Sequence, residues 1–95
     1  MTKYITGARG TGKTKQLLEF CHDKEDVVLV TQNARAMRVK AKNYGYNVNI
    51  IDISEVDETN LYNKKVALHD LDYFVEHFFD LKGANIVAAT IRTEE

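Results

Sequence analysis

The segment Gly7-Ala8-Arg9-Gly10-Thr11-Gly12-Lys13-Thr14 constrains this chain more than any other, because it fills every fixed position of the pattern G-x-x-x-x-G-K-[ST]. Glycines allow the backbone to curl around a phosphate without Cβ clashes, and several N–H groups then point inward as an anion nest. A helix that follows adds its positive N-terminal end. The pattern therefore predicts a phosphate-binding loop, in which Lys13 supplies a point charge for the β- and γ-phosphates and Thr14 offers a hydroxyl to Mg²⁺.

The flanks of this segment match the context that such a loop requires, a strand before it and a helix after it. Lys3–Thr6 is short but rich in strand-forming residues. Lys13–His22 predicts a helix, because Leu17, Leu18 and Cys21 fall on one apolar stripe. The alternative is a glycine-rich turn that only joins a strand to a helix.

The rest of the chain continues this alternation of strands and helices. Strands are predicted at Val27–Val30, Val48–Ile53, Val66–Asp70 and Ile86–Ile91, and helices at 34–44 and Leu71–Lys82. The polar stretch 54–63 predicts a short helical turn. This order predicts the α/β class, with a mostly parallel sheet of about five strands and helices on both faces.

Composition narrows the class of protein further. A chain of 95 residues allows one small domain, spanning 1–95. No apolar run approaches the roughly 20 residues that cross a bilayer, and Met1-Thr2-Lys3 leads into the first strand without a signal-peptide pattern. The single cysteine, Cys21, excludes an internal disulfide and favours a reducing cytoplasm, and its apolar helix face favours inert packing. A net charge of −1 argues against a surface that is basic overall.

A second candidate motif lies at the end of the fourth predicted strand. A phosphate-transfer site needs a carboxylate there to hold Mg²⁺, and Val66–Asp70 offers one downstream of the loop. Asp70 is the candidate ligand, acting through water because Mg²⁺ dehydrates reluctantly. The alternative for Asp70, and for Asp72, is that the carboxylate caps the helix that follows.

Together, the loop and the Val66–Asp70 strand resemble the P-loop NTPases, over nearly the whole chain as one minimal core. The strand and helix before the Asp70 strand, and a last strand with a polar end at Thr90, are similar to the branch of RecA-type ATPases, helicases, AAA+ proteins and thymidine kinases. This resemblance implies Mg-ATP binding, with Thr90 near the γ-phosphate, where it helps to position the attacking water. It also implies the sheet order loop strand, last strand, Asp70 strand, Val27 strand, Val48 strand. The guanine signature Asn-Lys-x-Asp fails at Val66, which favours ATP over GTP.

The chain departs from that branch where a glutamate usually follows the magnesium-binding aspartate and orients water. Leu71 stands at this position. Asp72 is the nearest carboxylate and the candidate for that task, and His69 and Glu76 are weaker candidates. An ATPase or ATPase-like accessory in nucleic-acid metabolism is expected, and the small, proline-free design suggests a phage or mobile element. The alternatives are a nucleotide-gated interaction module without turnover and a small nucleoside-kinase-like phosphotransferase.

Two surfaces are candidates for binding partners. Arg35, Arg38 and Lys42 recur at helical spacing, and form either a phosphate-binding stripe for nucleic acid or a solvated helix face. The usual strand that flanks the loop strand is missing, so the loop strand is expected to be an exposed edge that pairs with a protein partner or a second copy. The three histidines do not stand at metal-ligand spacing, so no zinc site is expected.

Overall fold

The computed structural model describes residues 3–7, 12–58, 64–69 and 85–92, and these form an α/β fold around a five-stranded sheet. The strands are β1 (Lys3–Gly7), β2 (Val27–Thr31), β3 (Asn49–Asp52), β4 (Lys65–Leu68) and β5 (Asn85–Arg92). Helix α1 (Lys13–Cys21) connects β1 to β2, α2 (Ala34–Tyr44) connects β2 to β3, and a 3₁₀ helix at Ile53–Glu58 follows β3. The predicted class is therefore confirmed, and all four strand pairings are parallel.

The strand order is β1-β5-β4-β2-β3, which is the order that the resemblance implies. The last strand thus inserts between β1 and β4, and Ile5 of β1 stands opposite Thr90 of β5. The pairing of β4 with β5 contains an irregularity that the sequence did not reveal. Val66 stands opposite Ile86 whereas Ala67 stands opposite Ala88, so that β5 has one extra residue there.

Both described α-helices pack on one face of the sheet. They share a single apolar core with residues of the strands, to which α1 contributes Leu17, Leu18 and Cys21 without any exposed surface. Because β1 to β2 and β2 to β3 advance in the same direction across the sheet, right-handed crossovers bring both helices to the same side. Burial of each leucine side chain contributes about 1.5–3 kcal/mol. The helix predicted at Leu71–Lys82 lies outside the described residues. The expectation of helices on both faces of the sheet therefore stays a prediction.

The opposite face of the sheet carries a second apolar cluster. Val30, Val66, Leu68 and Ala89 form it and have no exposed surface. Strands β2 and β4 are therefore buried on both faces, which is what a continuous apolar run in a parallel sheet requires. The prediction of such a strand at Val27–Val30 is confirmed.

The ends of α2 follow the local signals in the sequence. Asn33 is the N-cap, and its side-chain oxygen accepts the N–H of Ala36 at 3.2 Å. Gly45 ends the helix with a left-handed backbone at φ 79°, a conformation that favours glycine. Helix α1 ends at Cys21, one residue before the predicted end.

At the amino edge of the sheet, polar contacts join the turn after α1 to the turn after α2. The N–H of Asn47 donates to His22 Nδ1 at 2.9 Å, and the N–H of Asp23 donates to the carbonyl of Asn47 at 2.9 Å. Lys65 forms an exposed ion pair with Asp26 at 3.0 Å, and its hydrogen bond holds the pKa of that carboxyl below its usual range. These contacts fasten the end of the sheet that lies away from the predicted loop.

Candidate functional site

The predicted phosphate-binding loop joins β1 to α1, and the structure describes both of its ends. Strand β1 ends at Gly7 and α1 begins at Lys13, directly after Gly12. Gly12 has φ 80° and ψ 17°, a left-handed conformation that glycine adopts without a steric penalty. The strand and helix that the motif requires are therefore both present. The loop residues between them lie outside the described residues: Ala8, Arg9, Gly10 and Thr11.

No side chain in the described ranges caps the N-terminus of α1, whose N-cap residue is Gly12. Its first helical hydrogen bond runs from the N–H of Gln16 to the carbonyl of Gly12 at 3.1 Å, and its first turn contains no acidic residue. The positive end of the helix dipole is therefore not offset by a carboxylate of that turn. Lys13 and Thr14 occupy the turn and are both half-buried. This is a suitable arrangement for an anion at a helix N-terminus.

The parallel strands all end at one edge of the sheet, the same edge at which α1 begins. Three polar residues of this carboxyl edge lie on the α1 face, since each stands two positions after a residue of the core beneath α1. They are Thr31 at the end of β2, His69 directly after β4, and Thr90 in β5. Their side chains thus share one face of the sheet with Thr14.

His69 forms a bridge between α1 and β2. Its Nε2 lies 3.3 Å from Thr14 Oγ1, and its Nδ1 lies 3.2 Å from Thr31 Oγ1. Its own N–H donates to the carbonyl of Val30 at 3.0 Å, so that the backbone next to β4 is held against β2. A neutral imidazole has one N–H donor and one acceptor nitrogen, which allows one bond of each kind. The sequence identified Thr14 as a site residue and gave no signal that His69 contacts it.

Asp52 is a residue of the same edge that the sequence left without a role. Its Oδ2 accepts the N–H of Ala34 at 3.2 Å, and its Oδ1 accepts the N–H and the hydroxyl of Ser54 at 3.1 and 3.0 Å. The bonds from the N–H groups of Ser54 and Ala34 hold the pKa of Asp52 below its usual range. One sequence signal could have identified Asp52: it is an acidic residue at the end of a strand, where a carboxylate can reach the start of a helix.

Of the remaining predicted catalytic and metal-binding residues, only Thr90 lies within the described ranges. Thr90 is 1% exposed, and its strand lies between β1 and β4. Asp70, predicted as the Mg²⁺ ligand, and Asp72, predicted to position water, lie outside the described residues. Within the described ranges, no three His, Cys, Asp or Glu residues gather where they could hold a metal ion.

The basic stripe of α2 is exposed, but one of its members has a structural contact. Arg38 Nη2 donates to the carbonyl of Ile50 at 2.8 Å and so ties α2 to β3. This contact gives Arg38 a structural role, and nucleic-acid binding through Arg35, Arg38 and Lys42 stays a prediction. Cys21 of α1 is fully buried, and burial raises the pKa of its thiol to about 11. Its predicted role in packing is confirmed.

Strand β1 is at the end of the described sheet, where it pairs with β5. Tyr4 on this strand is exposed over 57% of its surface. Pairing of this edge with a protein partner or a second copy stays a prediction. None of the helices in the described ranges has the length and apolar character needed to cross a bilayer.

Comparison of the chain with family models, curated proteins and solved structures returned no match. The functional argument therefore depends on the residues of the carboxyl edge and on their geometry. The features that matter most are the N-terminus of α1, which begins directly after Gly12, and the polar side chains that lie beside it.

Proposed function

We propose that this chain binds a nucleoside triphosphate, ATP, together with Mg²⁺ at the carboxyl edge of its parallel sheet. The observation that carries the proposal is the sequence Gly12-Lys13-Thr14 at an N-terminus of α1 without a side-chain cap, one loop after β1. Ligands of open parallel sheets bind outside the carboxyl ends of the strands, and phosphates bind at helix N-termini. The resemblance of the segment Gly7–Thr14 to the P-loop NTPases supports the same assignment.

In this proposal, the loop cradles the phosphates, Lys13 pairs with the β- and γ-phosphates, and Thr14 and Asp70 hold Mg²⁺. A hydroxyl and a carboxylate are hard oxygen donors of the type that Mg²⁺ prefers, so the donor set fits this ion. Thr14 is half-buried in the first turn of α1, where its hydroxyl already takes part in a polar contact. When bound, Mg²⁺ neutralises charge on the β- and γ-phosphates.

Replacement of Lys13 by alanine tests nucleotide binding. A charge-assisted hydrogen bond is worth about 1.5–3 kcal/mol, so Lys13→Ala should weaken ATP binding in Mg²⁺ by about 10–100-fold in isothermal titration calorimetry. Lys15→Ala is the matched control, because Lys15 is an exposed lysine of the same helix whose ammonium lies 5.5 Å from the ring centre of Tyr44. The control should bind ATP as the wild type does.

Circular dichroism and thermal unfolding of both lysine variants establish that they fold. Equal ATP affinity of a folded Lys13→Ala variant and the wild type contradicts the proposal. Equal losses in the two variants also contradict it, since they show a non-specific effect of positive charge on the helix rather than a contact made by Lys13.

Beyond binding, the proposed activity is ATP hydrolysis in nucleic-acid metabolism, with Asp72 or a partner residue positioning water and Thr90 near the γ-phosphate. The alternative is a nucleotide-gated module without turnover, which Leu71 favours because it replaces the usual glutamate. Mg²⁺-dependent phosphate release, with and without single-stranded DNA, separates the two. Turnover that disappears in Lys13→Ala supports the ATPase. Binding without turnover supports the gated module, and light scattering with and without ATP then tests pairing through the β1 edge.

A further inference from the structure

We propose that His69 is a positioning residue for Thr14: its Nε2 accepts the hydroxyl hydrogen, so that the oxygen of Thr14 turns its lone pairs toward the bound cation. The inference rests on the proposed function of this site. It adds a residue that lies outside the loop motif and is separated from Thr14 by 55 positions in the chain. The chain of contacts Thr14–His69–Thr31 is its structural basis.

The first step concerns the hydrogen of Thr14. A hydroxyl that binds a cation through a lone pair must donate its hydrogen to an acceptor elsewhere. Nε2 of His69 lies within reach, at 3.3 Å from the hydroxyl oxygen, and both side chains are half-buried. If Nε2 carried a hydrogen instead, it would donate to Thr14 and direct that hydrogen at the oxygen needed by the cation.

The second step concerns the other nitrogen of the ring. A neutral imidazole that accepts through Nε2 carries its hydrogen on Nδ1. Thr31 Oγ1 lies 3.2 Å from Nδ1, on a residue that is 1% exposed, and our proposal assigns it as the acceptor for this hydrogen. It also accepts the N–H of Asn33 at 3.4 Å, and its two lone pairs are sufficient for both bonds. Both neighbours of the ring are hydroxyl groups, each able to donate or accept, so the cation at Thr14 is what selects this tautomer in our proposal.

The third step concerns rigidity, because a positioning residue must itself be held. The N–H of His69 donates to the carbonyl of Val30 at 3.0 Å, which fixes the backbone from which the imidazole projects. Thr14 belongs to a helix whose Leu17 and Leu18 are fully buried against the sheet. The Thr14–His69 distance is therefore set by α1 and by the backbone that follows β4. Supporting contacts of this kind hold a site in a productive geometry.

Nuclear magnetic resonance of the protein bound to Mg-ATP tests the tautomer directly. Long-range ¹H–¹⁵N spectra at about pH 8, where histidine is neutral, should show His69 with its hydrogen on Nδ1. Loss of one signal set in His69→Gln assigns the resonances among the three histidines of the chain. Thr31→Val removes the acceptor at nearly constant shape and should shift His69 toward the Nε2–H form, whereas Thr31→Ser should not. A wild-type His69 in the Nε2–H form overturns the inference.

Nucleotide affinity measured in Mg²⁺ and in EDTA tests the consequence. Loss of a residue that orients a metal ligand typically weakens the metal site by roughly 10–100-fold, so His69→Ala should reduce the gain in ATP affinity that Mg²⁺ produces by about tenfold. Affinity in EDTA should stay unchanged. His69→Gln keeps an oxygen acceptor near the position of Nε2 and should restore most of the gain.

The possible results separate this inference from the proposed function. A His69→Ala variant that loses thermal stability and weakens in both buffers by the same factor has a structural role only, which overturns the inference. An unchanged Mg²⁺ gain in His69→Ala overturns it as well, while wild-type binding that depends on Lys13 leaves the proposed function intact. Absence of ATP binding by the wild type overturns both.

Discussion

The two described α-helices begin at the same edge of the sheet, but their N-termini are capped differently. Helix α2 is closed by two side chains, since Asn33 accepts the N–H of Ala36 and Asp52 accepts the N–H of Ala34. Helix α1 follows Gly12 and has no side-chain cap. Its first turn instead carries Lys13, and neither helix has an acidic residue in its first turn.

The N-terminus of a helix can be capped by a side chain, which stabilises the protein, or be left for a ligand, which is the role proposed for α1. A side-chain cap satisfies backbone donors and stabilises a helix by about 1 kcal/mol, but it occupies the place that an anion would take. In α1, anchoring falls to the buried leucines, Leu17 and Leu18, which hold the helix on the sheet without occupying its N-terminus. Among the described residues, no side chain caps α1, which agrees with the phosphate site proposed there, whereas the N-terminus of α2 is capped.

The largest effect is expected when α1 receives the kind of carboxylate that closes α2. Gly12→Asp places a negative charge beside the proposed phosphates, and such a pair at about 5 Å costs about 3 kcal/mol, or roughly 100-fold in affinity. Gly12→Asn is the control, because a Cβ at Gly12 meets no atom of the described residues within 4 Å and both variants share the strain at φ 80°. Calorimetric titration with Mg-ATP measures the difference between them.

The same pair of variants gives a second readout in the opposite direction. A carboxylate near a helix N-terminus should raise the stability of Gly12→Asp above that of Gly12→Asn by about 0.3–1 kcal/mol. Tighter ATP binding by the aspartate variant than by the asparagine variant would refute the placement of phosphate at α1.

A smaller effect is expected when the cap of α2 is removed. Asn33→Ala deletes the acceptor for the N–H of Ala36 and should lower the free energy of unfolding by about 1 kcal/mol. Urea denaturation followed by circular dichroism measures this loss. ATP affinity should stay unchanged, because the cap closes α2 and not the proposed site; a parallel loss of affinity would show that the two helix ends are not independent.

The smallest effect is the pH dependence that Asp52 adds. Because its pKa is lowered in the folded state, the ionised carboxylate contributes stability above the unfolded pKa of about 3.9, and this is lost as the pH falls through the folded pKa. Asp52→Asn should therefore be less stable than the wild type by about 0.5 kcal/mol at pH 7, and the difference should shrink below about pH 4.

Urea denaturation at several pH values measures this difference for Asp52→Asn. Glu25→Gln, which removes a charge from an exposed side chain, is the control and should match the wild type throughout. A difference between Asp52→Asn and the wild type that grows on acidification would have the wrong sign for this role.

Much of the fold follows from local patterns that act within a few residues. The apolar run at Val27–Val30 predicts a strand buried on both sides, and Gly45 and Asn33 mark the ends of α2 because their conformation and side chain suit those positions. The strand order came from resemblance rather than from these patterns. Strand register is decided by packing. No local pattern in the sequence therefore indicated the extra residue of β5, which lies between the partners of Val66 and Ala67.

By itself, the sequence determined the alternation of strands and helices and the glycine-rich segment that ends in Lys13-Thr14, because each depends on neighbouring residues. Only the tertiary structure decided what stands behind Thr14. Thr31 ends β2 and His69 follows β4, and they meet Thr14 because parallel pairing brings the ends of these two strands to the edge where α1 begins. Contacts between such distant residues leave no local pattern in a single sequence, and in this protein they form the support of the proposed site.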